Sequence, residues 1–345
     1  MRTAIAFLMS FIGLGLAGSV RVLAQMSSTT PQFAVVERFK IGGDGGWDCL
    51  AVDSDAHRLY VSRGTHIMVV DTEAGTLVGD IPNTPGVHDI AIDSKHHKGF
   101  ISCGREDSVL VFDTATLKET VRVKVGKNPD IMLFDASTNK VFSFNGGSSD
   151  VTAVDATTNE VKGTLAMGGK PEFARSDGKG HVFVNLEDAS RIVEFDAKVM
   201  KLVRSWSLAP AEEPTGLAFD TKHGLLYSAC GNNMMAVSDA KAGKLLSTAK
   251  IGNGPDGAGF DPSLGLAFAP NGADGTLTVL KCGPGNTCVP VQEVATQKSA
   301  RTMAVDAKAH RLYLIAADFE APAAGQRRGK MVPDSAVILV VGLKK

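Results

Sequence analysis

Seven residues return at nearly even intervals along the chain: Asp48, Asp89, Asp130, Glu172, Thr215, Asp256 and Arg301. Five carboxylates, a hydroxyl and a guanidinium, if gathered in one place, would make a set of oxygen donors with a single anchor for an acidic group. Crowded carboxylates raise one another's pKa and resist ionisation unless a cation or the arginine compensates. The chemistry this implies is capture of a cation, or of a cationic or polyhydroxylated small ligand. Calcium or magnesium suits an all-oxygen shell, with Asp89 and Asp130 as the metal ligands. The competing reading is an acidic funnel that holds only water. Near the series stand Arg63, His66, His88 and Trp47, joined by Arg105, Asn145, Glu187, Asn232 and Asn271. His66 and His88 could supply a nitrogen ligand or a general base, or stand as loop histidines with no role. Trp47 could supply an aromatic wall, or simply pack.

These residues must be positioned by a repeated element. An apolar strand ends in aspartate at Asp53, Asp93, Asp135, Asp177, Asp220, Asp261 and Asp306, with gaps of 40, 42, 42, 43, 41 and 45 residues. After a polar turn, a second strand opens on an aromatic residue: Tyr60, Phe100, Phe142, Phe183, Tyr227, Phe268 and Tyr313. A third strand closes on a second aspartate in five units, at Asp71, Asp113, Asp155, Asp196 and Asp239. A fourth ends in turns such as Val125-Gly126-Lys127-Asn128-Pro129 or Met167-Gly168-Gly169-Lys170-Pro171. Four short strands per unit at this period predict an all-β, seven-bladed propeller of four-stranded antiparallel blades. The seventh unit supplies only three strands, near 300–305, 311–316 and 336–341, while 33–41 is a spare strand before the first complete unit. That strand is predicted to finish the last blade and close the ring, because an open sheet edge is a liability. The repeated aspartates are read as turn-formers that accept local backbone N–H groups, with no metal-binding role.

In a propeller the first strand of each blade lines the central channel, so the Asp48-to-Arg301 series is predicted to encircle the channel mouth. The loops joining second to third strands share that face. The insertion Asp318 to Pro333 in the seventh unit overhangs it, as a lid or as a mobile tether; Arg327, Arg328 and Lys330 make it basic. His57, His97, His223 and His310 fall in turns on the opposite face and are read as solvated.

The repeats resemble the YVTN-repeat, YncE-like family of exported β-propellers. The matches are Leu59-Tyr60-Val61-Ser62, Val109-Leu110-Val111-Phe112-Asp113-Thr114-Ala115-Thr116 and Val151-Thr152-Ala153-Val154-Asp155-Ala156-Thr157-Thr158-Asn159, and the similarity runs from Phe33 onward. Blade six departs from the pattern by carrying Lys281 near the place of the second aspartate, and blade seven by its insertion. The resemblance implies fold more than activity.

Arg2, an apolar stretch from Ile5 to Ala17 and small residues before Gln25 describe a secretory signal peptide over residues 1–24, followed by a flexible lead at 25–32 and the propeller at 33–345. The expected location is periplasmic or secreted, with no membrane span once the signal is removed and a monomeric state. Net charge is −1 and no basic stripe occurs, which argues against nucleic acid as a partner. Of five cysteines, Cys282 and Cys288 flank a Gly-Pro-Gly turn and are expected to form a disulfide. Cys49, Cys103 and Cys230 fall in strands and read as small buried hydrophobes. No Cys-x-x-Cys-His, G-x-S-x-G or His-Glu-x-x-His motif is present, and two tryptophans are far fewer than a quinoprotein propeller would carry. Two functions remain. One is a binding module that recognises a small molecule, a cation or a protein partner at the acidic mouth. The other is an enzyme of lactonase, hydrolase or lyase type, in which His88, Asp89, Glu172 and Arg301 would converge on one reacting atom.

Overall fold

Seven times the chain runs a strand to an aspartate, turns, and returns on an aromatic residue. In the computed structural model each return builds a four-stranded antiparallel sheet. The structure describes residues 31–43, 45–283, 287–322 and 329–344. The signal peptide, nearly all of the lead and the tip of the blade-seven insertion lie outside them. Blade one comprises Leu50–Asp53, Arg58–Ser62, Ile67–Asp71 and Leu77–Ile81, and five further blades repeat this order. Blade seven joins Met303–Asp306, Arg311–Ala316 and Val337–Leu343 to Phe33–Lys40, the strand from the start of the fold. Phe33 lies opposite Leu343 and Lys40 opposite Val337, so the ring is closed inside a blade along a full strand.

Period-two alternation would leave one face of each strand wet. The second and third strands read instead as continuous apolar runs, because neighbouring blades cover both faces: Val109, Leu110, Val111 and Phe112 are all fully buried. The aromatic that opens each second strand lies between blades, and none of the seven is more than 3% exposed. Each such side chain contributes roughly 1.5–3 kcal/mol of burial. Fourth strands form the rim and expose Leu77, Val78, Val161 and Val203.

The turn aspartates act locally, as their spacing predicts. Asp53 Oδ1 accepts from the N–H groups of Asp55 and Ala56, Asp113 Oδ1 from Ala115 and Thr116, and Asp155 Oδ1 from Thr157 and Thr158. The same aspartates also engage turn histidines, which keep part of their surface in solvent as the sequence reading expects. His223 Nδ1 lies 2.6 Å from Asp220 Oδ2, and His310 Nδ1 reaches across to Asp261 Oδ2 at 2.7 Å. These carboxylates are nearly inaccessible and have lone pairs to satisfy, so a neighbouring imidazole is more favourably placed there than in water.

Blades are also laced together by cations at the start of second strands. Arg58 donates to Thr114 O, Lys98 Nζ to Ala156 O at 2.7 Å, Lys140 Nζ to Ala197 O at 2.7 Å and Arg311 Nη1 to Thr72 O at 3.4 Å. Each reaches the blade that follows it around the ring. Blade six lacks the second aspartate, and its third strand runs on as Thr276–Cys282 into the pairing with Cys288–Ala295. Cys282 and Cys288 are bonded there, with S–S 2.07 Å. Cys49, Cys103 and Cys230 are buried free thiols. Among the described residues, no helix is long and apolar enough to cross a membrane.

Candidate functional site at the channel mouth

The register of the first two strands of each blade decides which residues are equivalent. Ala51 lies opposite Tyr60, Ala91 opposite Phe100 and Leu133 opposite Phe142, and the other blades follow. Counting back three residues from each gives the true ring: Asp48, His88, Asp130, Glu172, Thr215, Asp256 and Arg301. His88 occupies blade two's place, and Asp89 stands one residue deeper, level with Cys49 and Ile131. The sequence reading chose Asp89 because it matched the others in type. The spacing itself singles out His88, which precedes Asp93 by five residues as Asp48 precedes Asp53 and Asp130 precedes Asp135, and the register shift between Val87 and Ile90 recurs in blades three, four and five, so choosing an acid by type is what misleads.

The exchange matters for the chemistry. His88 Nδ1 lies 2.7 Å from Asp48 Oδ2 and 3.6 Å from Asp130 Oδ1. On the other side of Asp48, in the neighbouring blades seven and six, Arg301 Nε donates to Asp256 Oδ2 at 2.5 Å, and Nη2 reaches Asp48 Oδ1 at 3.4 Å. Asp48 therefore bridges imidazole and guanidinium. Lys170 Nζ pairs with Glu172 Oε1 at 2.8 Å and also with Glu187. The mouth thus carries its acids partly neutralised by a histidine, a lysine and an arginine. Backbone bonds hold adjacent blades in place here, Cys49 N to His88 O at 3.0 Å and Asp256 N to Arg301 O at 3.1 Å.

Burial governs the protonation of these groups. Asp130 is pushed up to about 6 by burial, with His88 opposing and Asp48 adding to the rise. Glu172 is pushed to about 8 by burial and by Asp130, against the pull of Lys170. Asp256 is raised to about 6 by burial, against Arg301. The bond to Asp48 raises His88 above the ordinary imidazole value, while burial opposes it. Asp89 is raised to about 7 by burial, although the N–H groups of Met132 and Ile90 lower it. Its Oδ2 accepts from Met132 N at 2.9 Å, which ties blade two to blade three.

One ligand atom each from Asp48, His88 and Asp130 can be chosen so that all lie within 4.8 Å of one another. One nitrogen and two carboxylate oxygens match a borderline ion such as zinc or manganese better than calcium or magnesium, whose shells are built from oxygen alone. The expected pairing of Asp89 with Asp130 does not form this cluster.

The remaining residues singled out in the sequence separate from the mouth. Trp47 is 7% exposed and packs in the core between blades seven and one, with its ring 5.9 Å from that of Phe319. Its role is packing at the base of the insertion, whose flanks pair through Glu320 N to Lys330 O and Val332 N to Asp318 O. Arg63 is 1% exposed and donates to the carbonyls of Gly42 and Gly43, which removes it from any open face. His66 lies 3.6 Å from Asp80 and lines an outer groove with Pro82, Pro85 and Glu106. Asn145 and Asn271 are buried and bond to threonines of their own blades. Two functional side chains escaped the sequence reading. Lys170 was read only as part of a turn. Arg175 lies within the strand Pro171–Ser176 and lines the bore, and its one signal was a charge inside a strand otherwise suited to burial.

No protein-family model matches the chain, and no curated protein matches it. Solved structures do. The WD40 repeats of RRP9 align with a TM-score of 0.72 at 12% identity, covering 91% of this chain and 99% of that one. U3-55K aligns at 0.71 and 11% identity, covering 89% and 98%. Hydrazine synthase of Kuenenia stuttgartiensis aligns at 0.67 and 14% identity, covering 78% and 92%. At these identities the likeness is one of fold, that of a propeller with WD40-like neighbours.

Proposed function

We propose that this chain is an exported recognition propeller of the YVTN-repeat, YncE-like kind, and that its channel mouth binds a divalent borderline metal ion or a ligand presented through one. The observation that carries this reading is the convergence of Asp48, His88 and Asp130 from three adjacent blades. Three blades contribute one donor each, so the site exists only where blades one, two and three are docked side by side. Calorimetric titration of the mature chain with zinc, manganese, calcium and magnesium tests it. Zinc or manganese is expected to bind one per chain, with His88→Ala weakening that binding about tenfold or more, the usual scale for losing one strong contact. Calcium and magnesium are expected to bind more weakly. No binding by any of the four ions, or equal zinc affinity in native and variant chains, overturns the proposal.

A second reading draws on Asp48 bridging His88 and Arg301. A metal ion at the three donors would be a Lewis acid, and Arg301, bonded to Asp256 and Asp48, would offer its remaining N–H groups to an oxyanion, an arrangement suited to a lactonase or other hydrolase. Turnover of a lactone panel by the zinc-loaded chain, lost in Arg301→Met, supports it; absence of turnover leaves the binding function as the sole reading.

A further inference from the structure

Below the mouth the bore holds a cavity of about 360 Å³, at the small end of the range for ligand pockets. Its wall takes residues from the first strand of every blade. Phe173, Phe219, Phe260, Met132 and Met303 contribute bulk, and Ala51, Ala218, Gly259 and Ala304 leave space. Two lining groups are charged, Asp89 and Arg175.

Arg175 breaks the repeat. The register position opposite the aromatic that opens each second strand holds Ala51, Ala91, Leu133, Ala218, Gly259 and Ala304 in six blades, and Arg175 in the fourth. Six blades show that folding requires only a small or apolar residue there. The guanidinium donates through Nη1 to Ala174 O at 2.8 Å, and among the described residues no carboxylate is ion-paired with it. Its planar fork has further N–H groups, and a carboxylate fills two of them at once. Asp89, whose Oδ2 accepts from Met132 N, acts on Arg175 only as a charge at a distance, since among the described residues the two form no ion pair. The guanidinium also lies over the Phe173 ring, 5.7 Å from its centroid, which offsets part of the cost of holding a cation in the bore but fills none of the fork's N–H groups, and a ligand carboxylate would fill them.

From this we infer that the bore is a second binding site, for a small monocarboxylate with an apolar body, the carboxylate on Arg175 and the body against Phe173, Phe219 and Phe260. Asp89 and the mouth acids disfavour a second negative charge on the ligand, so dicarboxylates are discriminated against. The site is independent of the metal site above it.

Benzoate and hexanoate titrated into the intact mature chain, with succinate and benzyl alcohol as controls, test the inference. Benzoate or hexanoate is expected to bind, and succinate and benzyl alcohol to bind about tenfold more weakly or worse. Arg175→Met, which keeps volume and loses the fork, is expected to weaken benzoate about tenfold or more, while His88→Ala leaves it unchanged. Should Arg175→Met fail to fold, Ala51→Phe fills the bore from the opposite wall without touching Arg175 and is expected to abolish binding. No binding of either monocarboxylate, binding as tight for succinate, or unchanged affinity in Arg175→Met or Ala51→Phe overturns it.

Discussion

Replacing Phe33 by alanine removes a ring that is 1% exposed from the strand that closes the toroid. Phe33 packs edge-on against Phe268 with centroids 5.3 Å apart, in a cluster that includes Leu266, Leu277, Leu339 and Val341. Truncating a buried phenylalanine costs about 3–5 kcal/mol through lost transfer energy and the cavity left behind, and an edge-to-face partner adds about 0.5–1.5. The cavity would lie between blades six and seven, where backbone ladders on both sides restrict collapse, so the upper part of that range is expected. Val36 lies on the same strand at 44% exposure, and Val36→Ala should shift stability by no more than about 0.5 kcal/mol. Urea unfolding followed by far-UV circular dichroism reads both. A lower midpoint at constant slope means the whole ring is lost cooperatively, whereas a reduced slope means that blade seven opens alone first. If Phe33→Ala costs no more than Val36→Ala, this strand does not seal the ring in solution, and the argument from edge protection fails.

Two further substitutions probe the scaffold under the site. Asp261 is held below the usual carboxylate range: burial opposes this, but bonds from His310, Ser263 and the backbone outweigh it. A depressed folded-state value means the stabilisation is complete above the unfolded value of about 3.9 and is lost as pH falls through the folded one. Asp261→Asn should therefore cost about 1–3 kcal/mol at pH 7, and the gap should narrow below about pH 4 in thermal melts; a gap constant down to pH 3 contradicts the assignment. Gly216 stands just beneath the mouth in blade five, and a Cβ there would sit 2.1 Å from the Gly257 backbone of blade six. Gly216→Ala is expected to destabilise by about 1–3 kcal/mol or more, because backbone cannot yield as a side chain does, and a neutral result in the same melts would show that these blades are not in close contact.

The fold was legible because its determinants are local and repeated. An aspartate that accepts from two N–H groups of its own turn, as Asp155 does, leaves the same spacing in every copy, and an aromatic buried between blades, as Phe142 is, cannot be replaced by a polar residue. The site was legible only in outline. Seven mouth positions could be counted, yet the blade-two member is His88, which precedes Asp93 by the same five residues as Asp48 precedes Asp53, and matching by acidic type picked the neighbouring Asp89, a level deeper. Arg63 looked like an exposed recognition group and is instead buried on the Gly42 and Gly43 carbonyls, and of the two readings open for Trp47 the structure shows the packed one; nothing in their spacing records the carbonyls or the Phe319 ring that receive them. Arg175 was hidden by the opposite effect: within a strand its charge looked incidental, and its meaning emerges only when six other blades supply the comparison.

The joint inside blade seven has a mechanical consequence. Phe33 and Leu343 face each other at one end of the joining ladder, and Lys344 N donates to Gln32 O beside them. Tension applied at residues 32 and 344 would load those bonds one pair after another, as in a zipper, and never the whole ladder together in shear. A molecule tethered by both of these points would yield at modest force, even though the same strand resists denaturant.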